Sequence, residues 1–267
     1  MARIKNDMFK FSGAFGEFSF SQDEFGTIVK QKPTGSKKDI KKSPRSEGTR
    51  QGNMEMGGAS MAAKSLRLAF TVKKLGLGDR YFCGRLNGKM RKLVMKGDGL
   101  LGQRKVDIRK NGALLEGFEF INARPLVYSI GGIKEGPTLS NNRSEVNWTS
   151  PTLNRKQQIT APKEATHFTF NLGAATVSNY QYNSSLKKYL PVEGKFKNLS
   201  AFKASNPIDL KQKTIAAETL RVSLSETSGI PDEVAVVVVV GISFFRNVNG
   251  EMLEVKDAGG MKILGVC

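Results

Sequence analysis

A chain of 267 residues is long enough to bury a sizeable core, as one large domain or two small ones. Its 42 Lys and Arg against 24 Asp and Glu leave a formal charge of +18 and a pI near 9.9, which implies an anionic partner or an anionic surface. Two cysteines, Cys83 and Cys267, and a single histidine, His167, exclude a disulfide framework, a zinc set and a histidine-based metal centre.

The positive charge sits at the front, where residues 1–96 carry 21 basic and 8 acidic side chains. The first ten residues lack the apolar core of a secretory signal, and no apolar run is long enough to span a bilayer as a helix, so cytoplasmic synthesis is expected. Residues 9–20 carry five phenylalanines, and Phe18 and Phe20 fall on one strand face. Turn residues follow at 21–26, and Thr27, Ile28 and Val29 resume a strand, which predicts a β-hairpin. A two-stranded unit this rich in phenylalanine needs another surface to lie against. Phe15, Phe18, Phe20, Phe25 and Ile28 are therefore candidate assembly residues.

Residues 30–50 change to Lys, Gly, Ser, Pro and Thr, with Pro33 and Pro44 forbidding a continuous helix. This predicts a basic extended arm, either a solvated connector or a polyanion-binding segment through Lys37, Lys38, Lys41, Lys42, Arg45 and Arg50. Helical spacing begins at residue 53. Ala59, Ala62, Ala63, Leu66, Ala69 and Phe70 form one stripe, with Lys64, Arg67, Lys73 and Lys74 off it. Gly76 and Gly78 end that helix, and a second over residues 79–96 sets Phe82, Leu86, Met90, Leu93 and Val94 on one face and Arg85, Arg91 and Lys92 elsewhere. The pair reads as a basic helical hairpin able to grip phosphates without reading sequence.

Gly97, Gly99 and Gly102 match the spacing G-x-G-x-x-G, but the match follows a helix and lacks the strand-loop-helix setting a dinucleotide site requires. Residues 114–121 are predicted as the first strand of the β-rich part, 125–130 as a short strand, and 146–148 and 158–160 as strands between loops. Alternation predicts further strands at 166–172, 176–182 and 219–225. Residues 234–245 hold ten apolar residues interrupted by Gly241 and Ser243, including the five valines from Val236 to Val240. Valine is stiff at χ1 and suits a pleated surface, so this is a strand, and one covered on both faces. Asn249-Gly250 predicts a two-residue turn into a return strand, and Gly259-Gly260 a turn into 261–266, giving a β-meander.

The fold class expected is α+β, mainly β: an antiparallel β-sandwich over residues 97–267, an N-terminal hairpin and basic arm over 1–53, and a basic helical hairpin over 54–96. The order of parts resembles a family of uncharacterised Bacteroidota proteins. The resemblance rests on residues 11–20, the Lys/Pro arm, Arg50-Gln51, residues 66–70, 115–120, 162–168 and 241–245, and Val248-Asn249-Gly250. It extends over nearly the whole chain and implies no activity and no site residue.

Nothing in the chain identifies a reaction. His167 alternates with Phe168 and Phe170 and so points off the apolar face, and Glu116 and Glu119 read as opposite faces of one strand. The expectation is a non-enzymatic structural protein, without cofactor or metal, that assembles with its own copies through the hairpin and arm. The alternative is a sequence-nonspecific binder of DNA or RNA using the basic first third.

Overall fold

The computed structural model describes residues 2–4, 11–23, 26–32, 37–70, 78–133, 135–196, 198–224, 229–256 and 258–267. They fall into two compact units, Met1–Arg50 and Gln51–Cys267. The first holds β1 (Ala2–Ile4), β2 (Gly13–Phe15), β3 (Phe18–Asp23), β4 (Gly26–Gln31) and α1 (Lys37–Lys42). Helix α2 (Glu47–Ala69) begins just before the division, and α3 (Phe82–Met95), α4 (Ile108–Asn111) and α5 (Leu126–Ser129) follow it. Next come β5 (Thr138–Leu139), β6 (Glu145–Thr149), β7 (Leu153–Asn154), α6 (Arg155–Gln158), β8 (His167–Ser178), β9 (Tyr180–Asn183) and β10 (Lys188–Pro191). The chain then adds β11 (Ser200–Ala204), β12 (Ile208–Asp209), β13 (Thr214–Ile215), β14 (Thr219–Ser223), β15 (Val234–Val248), β16 (Glu251–Glu254) and β17 (Gly260–Val266).

The larger unit is built on β15. It pairs antiparallel with β8 along twelve residues, from Val234 opposite Ser178 to Phe245 opposite His167, and every residue from Val234 to Val240 is 0% exposed. Alternate valines serve different layers. Ala235, Val237 and Val239 join Ala175, Val177 and Ile263 beneath α2 and α3, whereas Val234, Val236, Val238 and Val240 join Phe168, Phe170 and Leu172 beneath the sheet β14-β6-β5. The fold is thus α+β and mainly antiparallel β, with a central sheet packed on a smaller sheet and helices covering its other face. Full burial of one valine stabilises by about 1.5–3 kcal/mol, so a strand covered on both faces is the natural axis for the unit.

Small residues let α2 approach closely: Gly58, Ala59, Ala62, Ala63, Ser65 and Ala69 are all buried. At the far end of that helix Phe70 meets Phe120 and Phe202 edge to face, with centroids 6.0 and 5.6 Å away. The helical hairpin and one face of the central sheet share a core, and the other face shares a second one with β14-β6-β5.

Several expectations are corrected. The basic arm is not extended: α1 and a 3-10 turn at Pro44–Ser46 lead directly into α2. Pro44 stands at the start of its turn, where no N–H is needed, and Arg50 Nη1 donates to the carbonyls of Ile40 (3.0 Å) and Ser43 (2.7 Å), closing the bend. Residues 114–121 are not a strand. Gly117 takes φ +73, and Glu119 makes one isolated bridge, to Lys262. Residues after Pro125 form α5, and residues before Ile159 form α6. The strands expected at 166–172 and 176–182 are largely one, β8, with β9 following at Tyr180. The C-terminal strands are no meander, because β16 and β17 pair in tandem with the same edge of β15 rather than with each other. The two-residue turn at Asn249-Gly250 does form, with φ +53 and +93. Among the described residues no helix is long and apolar enough to cross a membrane.

Candidate assembly surface and the placement of the basic residues

The first unit's sheet runs β1-β4-β3-β2, extending the expected hairpin by one strand on each side. Register sorts its side chains. Phe15 pairs Phe18, Phe20 pairs Val29 and Ile4 pairs Thr27, and since paired and i, i+2 residues share a face, these residues all lie on one side. Ser19 and Lys30, with Ser21 and Ile28, lie on the other. The aromatic side is open: Phe15 is 82% exposed, Phe18 49% and Phe11 50%, and Phe11 adds its ring 6.1 Å from that of Phe20. Among the described residues of this unit only Thr27 is buried. Of the five predicted assembly residues, Phe15, Phe18 and Phe20 are brought together, Ile28 faces away, and Phe25 lies outside the described residues.

The predicted cations divide into a set that bonds to the fold and a set that is exposed. Arg85 Nη1 donates to Glu119 O (2.7 Å) and its Nη2 to Phe120 O (3.0 Å) and Asp79 Oδ2 (2.9 Å), so it fastens the 117–122 turn to α3. Arg91 pairs with Glu55, Arg67 donates to Cys83 Sγ (3.1 Å), and Arg50 closes the bend before α2. Lys41, Lys42, Arg45, Lys64 and Lys92 are exposed, with no acidic partner among the described residues. Lys73 and Lys74, and the side chains of Lys37 and Lys38, lie outside the description. Arg50, Arg67, Arg85 and Arg91 use their fixed fork of donors to tie the fold together, while Arg45 and the described lysines of this set are left to solvent.

Sequence reading missed the charge cluster at Glu55. This carboxylate is fully buried on α2, where it accepts from Arg104 Nε (2.6 Å), Arg104 Nη2 (2.8 Å), the Gly102 amide (2.9 Å) and Arg91. Burial by itself would raise its pKa, but the hydrogen bonds from Arg104, Arg91 and Gly102 outweigh it and hold the group at about 2. Tyr189 Oη donates to Arg104 O (3.0 Å), and burial followed by the Glu55 charge pushes that phenol up to about 12. The glycine motif finds its explanation here. Gly99 (φ +119) and Gly102 (φ +91) shape a loop whose amide meets an anion, and that anion is the chain's own carboxylate. A signal was present, since Glu55 lies four residues before Ala59 on the apolar stripe.

His167 Nδ1 lies 2.9 Å from Thr166 Oγ1. Among the described residues no group of three His, Cys, Asp or Glu side chains could hold a metal ion. No family model, curated protein or solved structure matches this chain.

Proposed function

We propose that this is a non-enzymatic structural protein that assembles with further copies of itself through the aromatic face of the β1–β4 sheet. The observation that carries this reading is the row of exposed Phe15 and Phe18 with half-buried Phe20, on a sheet whose described residues include one buried side chain, Thr27. A sheet face of this kind lowers its free energy by removing aromatic area from water, at about 25 cal/mol per Å². Light scattering coupled to size-exclusion chromatography over rising concentration tests it. The expected result is a multimer that Phe15→Ser/Phe18→Ser returns to monomer, and a strict monomer at every concentration overturns the reading.

A second reading is nonspecific binding of DNA or RNA, supported by Lys41, Lys42, Arg45, Lys64 and Lys92, which are exposed and have no acidic partner among the described residues. Such contacts are phosphate-directed and weaken steeply with salt. Filter binding across a salt titration checks it, and absence of affinity at low salt ends it.

A further inference from the structure

Helix α3 presents a second row beside its buried stripe, with Arg85, Lys89 and Lys92 at i, i+4 and i+7. The turn over residues 117–122 runs opposite, anchored by the Arg85 bonds and by the Asn122 amide donating to Asp79 Oδ2 (2.8 Å). Between helix and turn lies an open cleft of about 380 Å³. Lys89, Lys92 and Asn122 line it together with the largely buried Phe118, over whose ring the Arg85 guanidinium lies at 5.0 Å, while Gly88 and Gly117 keep it unobstructed, as a Cβ at either would meet nothing within 4 Å.

The charges in this cleft are unequally served. Arg85 is occupied by Asp79 and two carbonyls, although its Nε is buried without a hydrogen-bond partner. Glu119, the one acid on the lining, accepts from the Leu126 amide (3.0 Å) and faces Lys262 and Arg85. That leaves Lys89 and Lys92 converging on a concave surface with no acidic partner among the described residues. Two ammonium groups one turn apart repel each other, and a concavity in which Arg85, Lys89 and Lys92 outnumber the single acid Glu119 concentrates anions.

We infer that this cleft binds a phosphate-bearing ligand, with the phosphate between Lys89 and Lys92 and the adjoining apolar part of the ligand over Gly88 and Phe118. Lysine serves phosphate as a point charge, and the uncharged lining at Gly88 and Phe118 suits a phosphate ester that carries an apolar group. The site is built from residues other than those of the assembly surface, so either proposal can fail alone.

Isothermal titration of the full chain with phenyl phosphate, inorganic phosphate and a short single-stranded oligonucleotide tests the inference. Phenyl phosphate is expected to saturate one site and to bind more tightly than inorganic phosphate. Lys89→Gln/Lys92→Gln should weaken binding at least tenfold. Lys156→Gln/Lys163→Gln, which removes equal charge near Ile159 in the other core, should not change it. Gly88→Leu keeps every charge and should block the cleft, so it separates a site from diffuse attraction. Oligonucleotide binding lost in the same variants makes the phosphate a nucleic-acid backbone, and phenyl phosphate binding alone makes it a small ester; both support the cleft. No saturable binding by any probe, or equal loss in the control pair, overturns it.

Discussion

Gly58 of α2 lies against the ring of Tyr189, so close that a Cβ on Gly58 would sit 2.9 Å from two ring carbons. Neither side can yield easily, because Tyr189 is held through its hydroxyl by the carbonyl of Arg104 and α2 is seated on the sheet. Gly58→Ala should therefore destabilise despite the roughly 1 kcal/mol that alanine gains in a helix, since overpacking costs about 1–3 kcal/mol. Urea denaturation should show a net loss of about 1 kcal/mol; a stabilised variant would mean that the ring has room to move.

Glu55 makes a sharper prediction, in pH. Unfolded, its carboxyl titrates near 4.5, and folded it titrates near 2, so between those values the unfolded chain binds the extra proton and stability falls as pH falls. The contribution is fully present above about pH 5 and amounts to about 3 kcal/mol. Asp79 and Glu233 are also lowered, Glu119 is raised, and each adds its own slope. The comparison is thus wild type against Glu55→Gln at each pH. The variant should lose about 3–5 kcal/mol at pH 6, because two arginines are left without their carboxylate. The gap should close as pH drops toward 2.

How much of this was legible follows from where each partner sits in the chain. The valine run and the Asn249-Gly250 turn are local statements, and both form as the sequence predicts. The covering of β15 on two faces was legible too, because no alternation marks a wet side. Arg85 and Arg91 read as surface cations because their partners, Glu119 O at 34 residues and Glu55 at 36, are remote in sequence. Residues 37–50 read as extended from their lysines and prolines, since a guanidinium reaching back seven and ten residues leaves no periodic trace. Residues 114–121 mimic a strand by composition, but a left-handed glycine at 117 breaks the pleat.

The return of β17 to the edge of β15 depends on Gly259, at φ +82 with its would-be Cβ 2.1 Å from the Ile242 carbonyl oxygen. Both the backbone sign and the space forbid a side chain. Gly259→Ala should cost about 2–4 kcal/mol, combining left-handed strain with a backbone clash. Amide exchange should show the loss first in β17, whose Ile263 seals the core beneath the helices.

The two faces of the small sheet separate assembly from stability. Phe18 and Ile28 are close in the sheet yet point to opposite sides, since Phe18 pairs with Gln31 and Ile28 with Ser21. If the aromatic face joins copies, Phe18→Ser lowers the multimer fraction by an order of magnitude or more, while Ile28→Ser, which removes comparable apolar area, leaves it unchanged. Phe15→Ser should act as Phe18→Ser does and shift folding stability by less than about 0.5 kcal/mol, because Phe15 is mostly in water already. Sedimentation velocity at matched concentrations reads all three variants. Equal loss from Ile28→Ser would show that general stickiness, rather than the Phe15/Phe18/Phe20 row, drives association.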